Sequence, residues 1–314
     1  MNEAYDCVII GGGPAGLSAA VYLARFRRRV LLIDKGDSRA ATIPKSHNVP
    51  GYPDGIAGPD LLKSMAVHAA QYGAVLKTGC VSAISRDDEA FTLTLKKGGT
   101  ITARTVLFAT GVVNRRPPLE QPVHDAALAS GRLRYCPVCD GWEAGGWDSE
   151  TGGRQAIAVL GTDGRGVAEA LFLKAYSDRV TLLTLAAFEL NETDRANFDK
   201  AGVDWEPRAA SGFAFDDDVV VMLEEGETLI FDTLYAALGS SANAELVESL
   251  GLALDNERCI LTDDHHRLRM KGLYAAGDIV SALDQIAVAM GHAAIAATAI
   301  HNDLREADGE TAKR

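Results

Sequence analysis

The chain has 314 residues, 43 acidic against 31 Lys and Arg, a formal net charge of −12 and 47% hydrophobic side chains. Such acidity argues against nucleic acid or an anionic membrane surface as the main partner, because either needs a basic face to neutralise phosphates. The length suits about two domains, each large enough to bury a core. The opening Met1-Asn2-Glu3-Ala4-Tyr5-Asp6 is acidic where a secretory signal is basic, and no apolar run reaches spanning length, so a cytoplasmic protein is expected.

Residues Tyr5 to Ile10 read as a buried strand. Gly11-Gly12-Gly13-Pro14-Ala15-Gly16 then opens a helix with its apolar face at Leu17, Ala20, Val21 and Ala24, and a second strand, Val30 to Ile33, ends in Asp34. Strand, glycines, helix, strand and acid in this order form a dinucleotide-binding fingerprint. Gly11 makes the tight turn, Gly13 lets the backbone approach a pyrophosphate, and Gly16 lets helix and strand pack closely. The amino terminus of the helix offers unpaired N–H groups to the phosphates, and Asp34 is placed to accept hydrogen bonds from a ribose.

Cys136-Pro137-Val138-Cys139-Asp140-Gly141 carries the redox signal. Two cysteines at this spacing can close into a disulfide, and the neighbouring carboxylate can take or give the proton that thiol–disulfide exchange moves. Half of a zinc site is the competing reading, but a structural zinc site would show a second close Cys or His pair, and none occurs. Cys7, Cys80 and Cys259 stand apart and are expected to be buried, inert thiols. Residues Trp142 to Arg154, rich in glycine and polar side chains, read as an exposed loop or excursion.

A second βαβ unit follows: strand Ala156 to Leu160, the turn Gly161-Thr162-Asp163-Gly164-Arg165-Gly166, a helix through Ala170, Leu171, Phe172 and Leu173, and strand Val180 to Leu183. Its first and third glycines are in place, but Asp163 occupies the position facing the pyrophosphate. One like-charge repulsion near 4 Å at an effective dielectric of about 20 costs roughly 4 kcal/mol, on the order of a thousandfold in affinity. Gly164 could restore the turn in a shifted register, with Arg165 beside it.

Four stretches, in order, resemble the low-molecular-weight thioredoxin reductase family of flavoproteins over nearly the whole chain. His47-Asn48-Val49-Pro50-Gly51-Tyr52-Pro53-Asp54-Gly55-Ile56-Ala57-Gly58-Pro59 is similar to the family's flavin-covering loop. Ala109-Thr110-Gly111 matches an Ala-Thr-Gly element, the cysteine pair follows, and Gly272-Leu273-Tyr274-Ala275-Ala276-Gly277-Asp278 matches the second FAD motif. The resemblance implies an α/β fold of two Rossmann-like, three-layer ββα dinucleotide-binding domains, the second inserted in the first. The FAD domain would span 1–115 and 243–314, and the insert 116–242, with hinges near Asn114-Arg115-Arg116-Pro117 and Leu238-Gly239-Ser240-Ser241.

The resemblance also implies residue roles. Around FAD it places Pro14, Ala15, Lys35 and Val81 beside the fingerprint glycines and Asp34. Asn48, Ala109, Thr110, Gly111, Gly277 and Asp278 join them, with Gln285 and Ile286 at the flavin edge. Asp284 stands where the family has Arg and is expected to face solvent, and His292 on the Ala-rich helix running to about Leu304 reads as a packed or capping residue. Cys139 would face the flavin, Cys136 would attack the partner, and Asp140 would serve as acid–base.

The donor side is open at this point. Thr184-Leu185-Ala186 replaces the His-Arg-Arg run that holds the 2′-phosphate of NADPH in relatives, which together with Asp163 makes NADPH use doubtful. One alternative is an NADPH-fed thioredoxin reductase acting on a thioredoxin-like protein. Another is a nicotinamide-independent enzyme for a protein or small-molecule dithiol or disulfide, fed by ferredoxin or another flavin, or running as a gliotoxin-oxidase-like dithiol oxidase with oxygen as acceptor. A third is a non-enzymatic flavin redox sensor. A homodimer is usual in the family.

Overall fold

The computed structural model describes residues 4–87, 90–148, 153–186, 188–224, 226–280 and 282–310. Two seven-stranded sheets organise the chain. In the first, Tyr5–Ile10 lies between Val30–Asp34 and Thr100–Phe108, all parallel, with Val75–Thr78 beyond Val30–Asp34 and Leu273–Ala275 on the far side of Thr100–Phe108. The amino-terminal part of Thr100–Phe108 also pairs antiparallel with Phe91–Leu95, which pairs with Val81–Arg86.

Alternation along Tyr5–Ile10 builds two cores from one strand, since successive side chains point to opposite faces. Cys7 and Ile9 pack with Leu23, Tyr274, Ala293 and Ile300 under the helices Pro14–Arg25 and Ile286–Ala307. Val8 and Ile10 pack with Phe91, Leu93, Phe108 and Leu273 under the antiparallel strands. Helices, parallel sheet and antiparallel strands therefore form the three layers expected.

The second sheet repeats the plan. Ile157–Leu160 lies between Val180–Thr184 and Thr233–Ala236 in parallel, Leu133–Arg134 pairs with Thr233–Ala236, and Asp204–Phe215, Val219–Leu223 and Thr228–Phe231 supply the antiparallel strands. The chain enters this half and leaves it through Val112–Asn114 and Ser240–Ala242, which pair antiparallel with each other; Arg115 N donates to Gly239 O at 2.9 Å. The stretches expected as hinges thus form one two-stranded ribbon, with Gly239 at φ 78°.

Within the expected loop over Trp142 to Arg154, most of the described residues are in regular structure. Helix Pro137–Ala144 includes Trp142, and Trp147–Asp148 pairs antiparallel with Gly153–Arg154 as a hairpin. Residues 149–152 of that stretch lie outside those described. Gly145 ends the helix and allows a tight approach, since a Cβ on it would sit 2.5 Å from the Tyr176 carbonyl oxygen.

Candidate active site at a dinucleotide cleft

The cleft lies at the carboxyl ends of the parallel strands of the first sheet and encloses about 440 Å³, a size typical of small-molecule sites. Its floor is the turn after Tyr5–Ile10. Gly11 has φ 111°, and a Cβ there would lie 2.2 Å from the Ala109 carbonyl oxygen. Gly16 approaches Gly11 so closely that a Cβ would be 1.9 Å from Gly11 O. Gly13 caps helix Pro14–Arg25 without a side-chain hydrogen bond, so the first N–H groups of the helix remain directed at the cleft. Asp34 Oδ1 accepts from Gly12 N at 3.0 Å. Gly12, which the fingerprint leaves without a role, is also required, because a side chain there would strike the Asp34 carboxylate, 2.5 Å from its Cγ.

Lys35, Asn48, Val81, Ala109, Thr110, Gly111, Gly277, Asp278, Gln285 and Ile286 line the same cleft with Gly11, Gly13, Pro14, Ala15 and Asp34. Gly16 does not line it, because it is used in the helix–strand contact. Thr110 and Asn243 exchange hydrogen bonds, Thr110 Oγ1 to Asn243 O and Asn243 Nδ2 to Thr110 O, both 2.8 Å. This pins the Ala109-Thr110-Gly111 element where the chain returns from the second sheet.

Three residues depart from expectation: Asp284, Cys80 and Cys259. Asp284 does not simply face solvent: Arg39 Nη1 lies 2.8 Å from its Oδ2 and 3.2 Å from Asp278 Oδ2. Arg39 belongs to a short 3-10 turn, Arg39–Thr42, in a segment the motifs did not single out. Burial, then the charge of Asp284, pushes the Asp278 carboxyl up to about 6, against the pull of Arg39. Cys80 is the second departure, since it is half-buried on the cleft wall rather than in a core. Cys7 is fully buried, and burial raises its thiol to about 12; Cys259 is half-buried and shifted the same way, first by burial.

Cys136 and Cys139 form a disulfide on the wall of this cleft. Cys136 is the N-cap of Pro137–Ala144, and its sulfur accepts from Cys139 N at 3.1 Å. Gln285, the N-cap of helix Ile286–Ala307, places Nε2 3.3 Å from each sulfur. Asn48 Nδ2 donates to Gln285 Oε1 at 2.8 Å, and buried Ser46 donates to Asn48 Oδ1 at 2.9 Å. Of the flavin-edge residues named from sequence, Gln285 thus meets the disulfide directly.

Asp140 lines the same cleft but takes other partners. Tyr235 donates to its Oδ1 at 2.7 Å and Arg134 Nη1 lies 2.8 Å from its Oδ2. Burial raises the Asp140 carboxyl, opposed by Arg134 and by the Tyr235 hydroxyl. Arg134 and Tyr235 carried no sequence signal, since neither lies in a motif and Tyr235 is 95 positions from Asp140. His292 packs against His266, ring centroids 4.3 Å apart, as a packed helical histidine would.

The turn of the second βαβ unit, before helix Gly164–Leu173, keeps the glycine contact but not the uncapped helix start. Gly161 and Gly166 touch, a Cβ on Gly161 lying 2.5 Å from Gly166 Cα, so its packing glycines are in use. Asp163, however, is the N-cap of Gly164–Leu173, and its own Oδ1 accepts from Arg165 N at 2.9 Å. Gly164 is the first helical residue, and the Arg165 guanidinium is paired with Glu257 at 3.2 Å. Thr184, at the end of the following strand, is fully buried.

A dinucleotide cleft with a dithiol–disulfide pair on its wall defines a flavin-dependent disulfide oxidoreductase. The pyridine nucleotide-disulphide oxidoreductase family model matches residues 5–293, and the chain belongs to that family. It is 29% identical over 329 residues to a thioredoxin reductase of Listeria innocua, covering 99% of both chains. Among solved structures it is similar to one titled crystal structure of HlmI, with TM-score 0.89, 28% identity and coverage of 99% of this chain and 95% of that one. It is also similar to a thioredoxin reductase from Streptococcus pyogenes MGAS5005, with TM-score 0.86, 26% identity and coverage of 98% and 100%.

Proposed function

We propose that the chain binds FAD in the first cleft and passes electron pairs between that flavin and an external dithiol or disulfide through Cys136 and Cys139, without ordinary use of NADPH. The observation that carries this reading is the disulfide on the cleft wall, contacted by Gln285 at the start of helix Ile286–Ala307, which Asn48 holds in turn. In this reading 1–115 and 243–314 form the FAD domain and 116–242 the inserted domain, and the protein is a cytoplasmic homodimer. Among the described residues no helix is long and apolar enough to cross a membrane.

The residues present fit such a cofactor. The glycine turn leaves a backbone cradle that side chains would fill, and the uncapped helix start supplies donors for the pyrophosphate. Asp34 would hold the adenosine ribose, Asp278 and Arg39 the ribityl and phosphate side, and Asn48, Gln285 and Ile286 the isoalloxazine edge, with Lys35, Val81 and Ala109 to Gly111 completing the walls. When bound, the flavin supplies two-electron chemistry that no side chain offers. Cys136 exchanges with the partner sulfur, Cys139 faces the cofactor, and Asp140 holds or releases the proton of the exchanging thiol.

Opposed to NADPH stand the Asp163 cap, which already satisfies the helix start where a pyrophosphate would dock, and the absence of a basic side chain in Thr184-Leu185-Ala186. The partner is a small dithiol or a thioredoxin-like protein, and the electron donor or acceptor is a ferredoxin, another flavin or oxygen. Cys136→Ser tests the central role: flavin content, read as absorbance after heat release and chromatography, stays at the wild-type level while dithiol or disulfide turnover is lost. A mutant that retained turnover would overturn it.

A further inference from the structure

We infer that Arg134 and Tyr235 are positioning residues for the disulfide reaction, which orient Asp140 and favour its carboxylate form, so that it can accept a proton from the attacking thiol. The inference rests on the reading of Asp140 as the acid–base group and names what governs it. Three elements converge to make the clamp. Strand Leu133–Arg134 pairs in parallel with Thr233–Ala236, and the register sets Arg134 directly against Tyr235. From this strand pair the two side chains reach one carboxylate, Tyr235 taking Oδ1 at 2.7 Å and Arg134 taking Oδ2 at 2.8 Å.

The carboxylate is in turn aimed at them, because Asp140 leaves helical dihedrals inside Pro137–Ala144, at φ −147° and ψ 18°. Tyr235 is fully buried, so its hydroxyl needs a partner, and Asp140 is that partner. Arg134 is itself fixed by donating from Nε to Gly131 O at 2.9 Å. Among the charged and titratable groups facing Asp140, Glu143 on its own helix disfavours ionisation, while Arg134 and Tyr235 favour it. Burial raises this carboxyl and the clamp opposes it, with the net shift still upward.

A partner thiol gives its proton to Asp140 as its sulfur bonds to Cys136, and the Cys136–Cys139 bond breaks with its electron pair left on Cys139 as thiolate. The partner's second sulfur, its proton lost to solvent, then displaces Cys136, which leaves with the proton held by Asp140. The partner is oxidised to a disulfide by two electrons and the cysteine pair is reduced by two.

The test is the pH dependence of anaerobic flavin bleaching by dithiothreitol, whose own ionisation is common to every variant. Removing the cation lets burial dominate, so Arg134→Met moves the acid limb to higher pH by about one unit or more. Tyr235→Phe moves it the same way by less, and Arg134→Lys brings it back toward wild type. Coincident limbs in wild type and Arg134→Met would overturn the clamp. Should Arg134→Met not accumulate, Tyr235→Phe decides on the same criterion. Asp140→Asn separates the underlying reading: loss of the limb supports Asp140 as the titrating group, whereas an unchanged limb shows that the acid–base assignment itself is wrong.

Discussion

The two βαβ units share a packing device and differ in what faces the ligand. In both, the first and third glycines touch, Gly11 with Gly16 and Gly161 with Gly166, because a helix starting straight from a strand leaves no room for side chains there. The middle position has diverged. Gly13 leaves the helix start of the first unit without a side-chain cap, whereas Asp163 caps the second with its own carboxylate. The glycine contact that packing requires is present in both units, whereas the uncapped helix start is found in the first and not in the second. A glycine turn is therefore evidence for a βαβ unit before it is evidence for a nucleotide.

Substitutions at the touching glycines should break the comparison most severely. In Gly16→Ala the new Cβ would meet Gly11 O at 1.9 Å, backbone against backbone, so a loss of about 3 kcal/mol or more is expected together with flavin. Gly166→Ala meets Gly161 Cα at 2.8 Å and should cost about 1–3 kcal/mol while leaving bound flavin at wild-type levels. Urea unfolding and flavin fluorescence read both. Equal flavin loss in the two variants would contradict the separate roles of the units.

Asp163→Gly sharpens the comparison by restoring the fingerprint glycine. It removes the cap at a cost of a few tenths of a kcal/mol and removes a repulsion, so the rate of flavin reduction by NADPH should rise by about tenfold or more. An unchanged rate in stopped-flow absorbance would assign the block to another feature.

A smaller effect concerns Glu169, on the same helix as Arg165. One of its carboxyl oxygens is buried without a partner, and burial raises the group to about 7, with Arg165 opposing and Asp163 assisting. The folded state thus holds this proton more tightly than the unfolded chain. Stability from it is full below about pH 4.5 and is lost as pH rises through 7. Glu169→Gln should therefore be more stable than wild type at pH 8, by about 2 kcal/mol, and the difference should shrink as pH falls to 5. A pH-independent difference in thermal midpoint would exclude Glu169 as the cause.

Much of this site was legible because motifs encode local backbone. Strand Tyr5–Ile10 appears at its expected bounds, the glycine turn is followed by its helix, and the cysteine pair sits on the cleft that those glycines open. What escaped were side chains meeting from distant elements. Arg39 reaches Asp278 and Asp284 across 239 and 245 positions, and its pairing with Asp284 reverses the expectation that this acid is free in solvent. Tyr235 and Arg134 meet Asp140 only because two short strands pair in one register. The hairpin Trp147–Asp148 with Gly153–Arg154 escaped because strands of two residues leave no periodicity to read.

The central claim, that electrons enter or leave this flavin through Cys136 and Cys139 rather than through a nicotinamide, is tested most directly by mixing the oxidised flavoprotein anaerobically with NADPH, NADH or dithiothreitol and following flavin absorbance in a stopped-flow instrument. The dithiol should bleach the flavin readily, and the nicotinamides slowly or not at all. Complete bleaching within milliseconds at micromolar NADPH would contradict the account and restore a working nucleotide site around Asp163.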